Sequence, residues 1–224
     1  MSQPLVLPLA GETVQLWPER ALAWPAQATL FIADPHFGKS ASFRALGIAA
    51  PDGTPADLAR LDVVLAASGA KRLVVLGDFF HARSGISPAT MNALAEWRAR
   101  RTGLEILLVR GNHDRGAGDP PSEWGIACVD EPFPQAPFVA RHTPAGDPAG
   151  HVLAGHVHPG LQLRDRNGAG LRAPCFVVRP GLTLLPAFGG FTGLEMVAAH
   201  AGTRRFAVTP EAVVEVPGPK NRGR

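Results

Sequence analysis

The chain has 224 residues, 46% of them apolar, and carries 22 Lys and Arg against 19 Asp and Glu for a formal charge of +3. That length and apolar content exclude an intrinsically disordered chain and suit one domain over residues 1–224 with a two-layer or sandwich core. The mild basicity, with a pI near 9.4, is compatible with a polyanionic partner without demanding one.

The opening segment MSQPLVLPLAGETVQLWPER lacks a basic n-region, and Pro4 and Pro8 interrupt its apolar run, so neither a signal peptide nor a membrane anchor is expected. Later apolar runs are broken by Arg, Gly or Pro well before the ~20 residues a span needs. The expected location is cytoplasmic, with no membrane partner. Cys128 and Cys175 stand far apart with no CxxC spacing, so they read as small buried apolar residues and not as a disulfide or a thiolate zinc site.

In chain order, LVLPL and TVQLW around Gly11 predict an N-terminal hairpin, and TLFIA at 29–33 predicts a buried strand that delivers Asp34 at its tip. The spacing of Leu58, Leu61, Val64 and Leu65 predicts a helix over 55–68 stopped by Gly69. RLVVLGD at 72–78 is a second buried strand ending on a carboxylate. Ser87-Pro88 opens a second helix through Met91, Leu94 and Trp97, closed by basic residues up to Arg101 and by Gly103. EILLVRGNHD at 105–114 repeats the pattern of a strand followed by polar residues.

Three strand-loop units separated by helices imply a largely parallel sheet with its polar residues at the carboxyl ends of the strands, where open α/β sheets put their ligands. After GNHD the helical periodicity fades. The runs APFVARH, HVLAGH, LQLRD, CFVVR, LTLLP and RRFAV predict a second, antiparallel or mixed sheet, and the tail at about 217–224 is expected to fray.

The strand ends carry Asp34 and His36 in ADPHFGK, Asp78 in GDFFH, Asn112 and His113 in GNHD, His142 in ARHTP, and His156 and His158 in GHVHPG. Singly, each has an ordinary explanation: Asp34-Pro35 as a turn, Asn112 as a left-handed residue, a histidine as a satisfied structural side chain. Jointly, oxygen and nitrogen donors on one sheet edge suit Mn, Fe or Zn, and the carboxylate and amide content favours Mn(II).

The series DPH, GD, GNHD, H and GHVH resembles the signature of the calcineurin-like metallophosphoesterase superfamily, DxH, GD, GNH[DE], H and GHxH, from residue 29 to about 160. The resemblance implies an α/β fold, a four-layer α/β/β/α sandwich of two mixed sheets flanked by helices, with two divalent metal ions. It implies that Asp34, His36 and His158 bind the first ion, that Asn112, His142 and His156 bind the second, and that Asp78 bridges them. His151 competes with His142 for its place, and His142 is preferred because His-x-Pro after a strand resembles the family's form of the motif. Two ions in such a centre lower the pKa of a bridging water and clamp the oxygens of an in-line displacement at phosphorus. His113, which the resemblance leaves unassigned to metal, is then free to act as general acid after attack by the bridging hydroxide. Asp114 orients that loop or, by preference, caps the following segment.

His81 in GDFFH stands where many serine/threonine phosphatases of the superfamily carry an aspartate. It is similar to the pattern in the superfamily's recombination-repair nucleases, where it helps position the scissile phosphate. ADPHFGKSASFRALGI, GDFFHARSG and LPAFGGFTG further resemble the ligase-associated DNA-damage-response endonuclease (PdeM) subfamily. That resemblance implies a Mn-dependent phosphodiesterase and endonuclease acting on DNA, single-stranded by preference, in DNA repair. It also implies functional association with an ATP-dependent DNA ligase, a helicase and a second nuclease.

Lys39, Arg44, Arg83 and Arg110 flank the motifs and are candidates for contacting phosphates. Phe37, Phe79 and Phe80 read as core before they read as base-stacking residues, and Phe188 and Phe191 mark a tight loop over the sheet edge. The alternatives are a small-molecule phosphatase or (cyclic) nucleotide phosphodiesterase and, with such a full donor set least favoured, a metal-free scaffold. If GHVH is extended, His156 and His158 share one face about 6–7 Å apart, so that one stretch serves two ions.

Overall fold

The computed structural model describes residues 3–164 and 170–217. The expected fraying tail lies, apart from Pro217, outside the described residues, as does Asp165 at the end of the LQLRD run.

Seven strands form the first sheet in sequence order: β1 (Leu5–Leu9), β2 (Glu12–Trp17), β3 (Ala21–Trp24), β4 (Thr29–Ile32), β5 (Arg72–Leu76), β6 (Glu105–Val109) and β7 (Ile126–Val129). The expected hairpin is present, and β1 to β4 pair antiparallel. From β4 to β7 the pairing is parallel, so the carboxyl ends of β4, β5 and β6 share one edge. The helices are α1 (Lys39–Ala45), α2 (Thr54–Ser68), α3 (Pro88–Ala99) and α4 (Asn112–Ala117).

The helix ends follow local chemistry. Gly69 ends α2 in the left-handed conformation that glycine adopts without a Cβ clash. Ser87 caps α3 by accepting from the Thr90 N–H at 3.2 Å. Leu58, Leu61, Val64 and Leu65 of α2 and Leu94 and Trp97 of α3 pack on Leu30, Ile32, Leu73, Val75, Ile106 and Leu108 of the sheet. Each such burial contributes roughly 1.5–3 kcal/mol.

The second sheet runs β14-β11-β12-β13-β10-β9-β8, with β15 on β12 and β16 on β15. Its strands are β8 (Phe133–Gln135), β9 (Phe138–Ala140), β10 (His151–Ala154), β11 (Pro159–Arg164), β12 (Gly170–Arg179), β13 (Leu182–Leu184), β14 (Glu195–Met196), β15 (Arg204–Val208) and β16 (Val213–Val216). It is mixed, because β10 pairs parallel with both β9 and β13. The alternate faces of the two sheets meet in one apolar layer of Phe31, Val74 and Leu107 against Phe138, Leu153, Phe176 and Phe206. Two mixed sheets flanked by helices are thus present. All four α-helices of the described residues lie before Gly118, and the outer face of the second sheet closes over Val152, Cys175, Val177 and Leu182.

Parallel β9 and β10 bring the residues that follow them, His142 and Gly155–His158, to the same end as the carboxyl ends of β4, β5 and β6. The sheets are tied there by a bridge between Ala33 and Ala187 and by His142, whose Nδ1–H donates to the Leu76 carbonyl at 3.1 Å. No helix of the described residues is long and apolar enough to cross a membrane.

Candidate metal centre

Asp34, His36, Asp78, Asn112, His142, His156 and His158 converge at this edge. His36 and His158 bring their Nε2 atoms to 3.2 Å, with Asp34 Oδ1 3.8 Å from His158 Nε2 and Asp78 Oδ2 3.8 Å from His36 Nε2. On the other side His142 Nε2 lies 2.8 Å from Asn112 Oδ1, 3.0 Å from His156 Nδ1 and 3.6 Å from Asp78 Oδ1. Asp78 therefore turns one oxygen to each group of donors.

Backbone conformation supports this convergence. Asp34, His36, Asp78, His156 and His158 all have φ between 48° and 71°, the left-handed region that costs L-residues about 1 kcal/mol or more each. Strain repeated at five donor positions marks the cluster as a functional one. It also corrects the expectation of an extended GHVH segment: β10 stops at Ala154 and β11 begins at Pro159. His156 and His158 diverge because each occupies a left-handed turn position, one reaching His142 and the other His36. They still serve the two donor groups separately, by a turn and not by the pleat.

The donor set fits a pair of cations. Asp34 and Asp78 are buried, at 0% and 2% exposure, and among the described residues neither makes an ion pair with an arginine or lysine. Buried carboxylates without a compensating cation are costly. Asp34 Oδ1 has no hydrogen-bond partner. With the Nδ1–H of His142 committed to Leu76, its Nε2 presents a lone pair to the Asn112 oxygen, an arrangement neutral groups avoid unless a cation accepts both. Burial, followed by the neighbouring His158, pushes the His36 imidazole down to about 2, so it is a neutral donor at any working pH. Burial also raises Asp78 above the usual carboxylate range, a cost that a bound cation reverses.

The glycines of the motifs make room for these side chains. A Cβ on Gly111 would run into Asp78 Oδ1 and lie 2.7 Å from the Asp78 backbone nitrogen. A Cβ on Gly155 would stand 2.5 Å from Asp34 Oδ2.

Beside the donors stand His81 and His113, their rings stacked with centroids 5.1 Å apart. The Nδ1–H of His113 donates to the His81 carbonyl at 2.5 Å, which leaves Nε2 facing the centre, 4.0 Å from Asp78 Oδ2. Burial, then Lys39, pushes the His81 imidazole down to about 4. By distance alone His36, His81 and His113 also form a possible ligand group, as do Asp34, His36 and His158, and Asp34, Asp78 and His142.

Asp114 does more than cap α4. Its Oδ2 accepts from the Gly111 and Asp78 N–H groups at 2.8 and 2.7 Å, and its Oδ1 from Phe79 N–H at 2.8 Å, so one buried carboxylate ties GNHD to GDFF. Glu131, which the sequence did not single out, accepts from the backbone N–H groups of His142 and Thr143, both at 2.8 Å. His151 lies away from the cluster, with Nε2 2.8 Å from Thr183 Oγ1.

The flanking cations divide. Half-buried Lys39 lines the crevice beside His36 and feels the charges of Asp34 and Asp78, with burial holding its amine below the ordinary range. Arg83 donates to the Gly116 carbonyl in the last turn of α4, and Arg44 to the Ala50 carbonyl. Arg110 is clamped by Asp119 at 2.7 Å and Asp130 at 3.4 Å, an ion-pair role. Phe37, Phe79 and Phe80 are core.

The family model for calcineurin-like phosphoesterases matches residues 28–145, the span that carries Asp34, His36, Asp78, Asn112 and His142. The chain belongs to the calcineurin-like phosphoesterase family. This calcineurin-like phosphoesterase is similar to the Pseudomonas putida nuclease MPE, known from a crystal structure: 41% identity over 96% of this chain and 100% of that one, with a TM-score of 0.84. Against Yfce, a phosphoesterase from E. coli, identity is 15% over 84% of this chain and 97% of that one, with a TM-score of 0.38. No curated protein matches the sequence. As a member of the family the protein is a phosphoesterase that uses divalent metal ions, and the fold and superfamily expected from the motifs hold.

Proposed function

We propose that this phosphoesterase is a dinuclear, Mn(II)-dependent endonuclease that hydrolyses phosphodiester bonds of nucleic acid, single-stranded DNA by preference. The observation that carries the reading is the pair of donor groups sharing Asp78, with His113 Nε2 turned toward them. Similarity to a nuclease over nearly the whole chain favours nucleic acid over small phosphomonoesters as the substrate class.

Asp34, His36 and His158 would hold one ion and Asn112, His142 and His156 the other, with Asp78 between them. When bound, the ions activate water and neutralise the phosphoryl oxygens. The protein's own residues do the rest. Leu76 fixes the tautomer of His142, and Glu131 holds the backbone from which that ring projects. His113, anchored through Nδ1 to the His81 carbonyl, has Nε2 available to give a proton to the departing alkoxide. His81 braces His113 by stacking, and Lys39 supplies a positive charge for a phosphate oxygen.

The test is cleavage of circular single-stranded DNA with Mn(II), beside hydrolysis of p-nitrophenyl phosphate and its bis-ester. The expected result is nicked and shortened DNA together with bis-ester hydrolysis, DNA cleavage being lost in His113→Ala and bis-ester hydrolysis reduced less, because p-nitrophenolate departs without a proton. Hydrolysis of the monoester alone, with circular DNA left intact, would overturn the nuclease reading.

A further inference from the structure

A row of rings leads from the metal centre to the surface. His113 stacks on His81, and Phe43 lies roughly parallel to His81, 26° from coplanar with centroids 6.5 Å apart. Phe191 then meets Phe43 edge to face at 5.4 Å. Phe43 is half-buried, and Phe191 is 40% exposed although it belongs to a loop pinned from several sides. Phe188 N–H donates to Ala33 O at 2.7 Å, Gly189 N–H to Asp34 O at 3.2 Å and Gly190 N–H to Asp57 Oδ1 at 2.9 Å. The Arg60 guanidinium covers the Phe188 ring at 4.5 Å, and Arg20 donates to Gly189 O at 3.1 Å. A large apolar side chain on a loop this firmly held could have been turned inward. Here it stands at the mouth of a cavity of about 290 Å³ lined by Lys39, Phe43, Thr192 and the flanking glycines. Lys39, Phe191 and Thr192 also line the small crevice beside His36, so the cavity adjoins the segment that carries this donor.

An aromatic face and edge, a lysine and open room beside a phosphodiester-cleaving centre match the parts of a nucleotide: the base stacks, and the adjoining phosphate pairs with the cation. We infer that Phe43 and Phe191 form a stacking subsite for the nucleobase next to the bond that is cut, with Lys39 on the intervening phosphate. This subsite rests on nucleic acid being the substrate, as proposed above. A base held there would fix the strand relative to His113 and make unstacked, single-stranded substrate the better one, because a paired base has to leave its helix to enter.

The experiment uses the full chain and a single-stranded oligonucleotide carrying one 2-aminopurine, whose fluorescence falls on stacking, next to a fixed cleavage position. Binding is followed with Ca(II), and cleavage separately with Mn(II). The wild-type protein is expected to quench the probe. Phe191→Ala and Phe191→Leu are expected to lose that quenching and to raise KM about 10-fold, within the range stacking of one base contributes. The leucine variant keeps apolar bulk at the site, so its loss reports the ring and not the fold. Replacing the base by an abasic unit is expected to make wild type and variants alike. Retained quenching in both variants, or equal KM changes on base-bearing and abasic strands, would overturn the subsite. Cleavage without quenching would overturn the subsite and leave the nuclease reading standing. Quenching that Phe191→Leu abolishes, on a strand that is never cut, would show base stacking at Phe191 but overturn both the nuclease reading and the subsite's place beside a cut bond.

Discussion

Asp114→Asn replaces two carboxylate oxygens by one oxygen and an NH2 group at the point where three backbone N–H donors meet. The remaining oxygen can keep the Gly111 and Asp78 donors, now as neutral hydrogen bonds, while the Phe79 N–H, 2.8 Å from the old Oδ1, faces another donor. Hydrogen bonds to a charged group contribute about 1.5–3 kcal/mol each, and a buried unsatisfied donor costs about 1–3 kcal/mol. The expected loss is roughly 3–5 kcal/mol, a large part of the 5–15 kcal/mol that stabilises a typical chain. For a chain of this size that corresponds to a fall in Tm of roughly 8–15 °C. Thermal melting in the presence of a chelator measures the effect without a metal contribution. Asp119→Asn serves as the control: its partner Arg110 lies at the surface, so its loss costs under about 1 kcal/mol. The two loops joined by Asp114 carry Asp78 and Asn112, so the variant is also expected to bind Mn(II) more weakly. An Asp114→Asn protein that melts within about 2 °C of wild type and takes up Mn(II) normally would refute the reasoning.

Further outcomes follow from the same geometry. Gly111→Ala drives a methyl group into Asp78 and is expected to abolish phosphoesterase activity while circular dichroism still reports a folded chain; a fully active variant would contradict the close approach. His113→Asn is expected to keep its metal content and lose about 10²–10⁴-fold in kcat for an alkyl leaving group, and less for p-nitrophenolate, which departs without a proton. Equal losses on both esters would argue against proton donation. Burial holds His151 below its ordinary value of 6.5, so the unfolded chain takes up that proton first and stability falls as pH drops below 6.5. The decrease in Tm between pH 7.5 and pH 5.5 is therefore expected to be smaller in His151→Gln than in wild type, and an equal decrease would remove His151 from the account.

The strands that end on ligands were legible because each is a short, continuous apolar run closed by a polar residue, and α2 and α3 because their apolar spacing and caps agree. The short helices were not. In α1, KSASFRA has no apolar period, and α4, NHDRGA, is six residues long and ends before periodicity can develop. The donor residues were readable from motif order, but their left-handed backbone was not, so GHVH read as a strand although its histidines separate by a turn. Roles that depend on distant partners were equally hidden. Nothing near Arg110 in sequence announces its clamp between Asp119 and Asp130, and nothing near Glu131 announces that it supports the His142 loop. Phe43 and Phe191 lie far apart in the chain, and only the loop over the sheet edge brings them together.

The assignment of two ions to two donor groups is tested most directly by anomalous scattering from crystals grown with Mn(II). Two peaks about 3.5–4 Å apart are predicted on either side of Asp78, one within reach of Asp34, His36 and His158 and the other within reach of Asn112, His142 and His156. A single peak at saturating Mn(II), or a peak held by His36, His81 and His113 in place of the first, would contradict it.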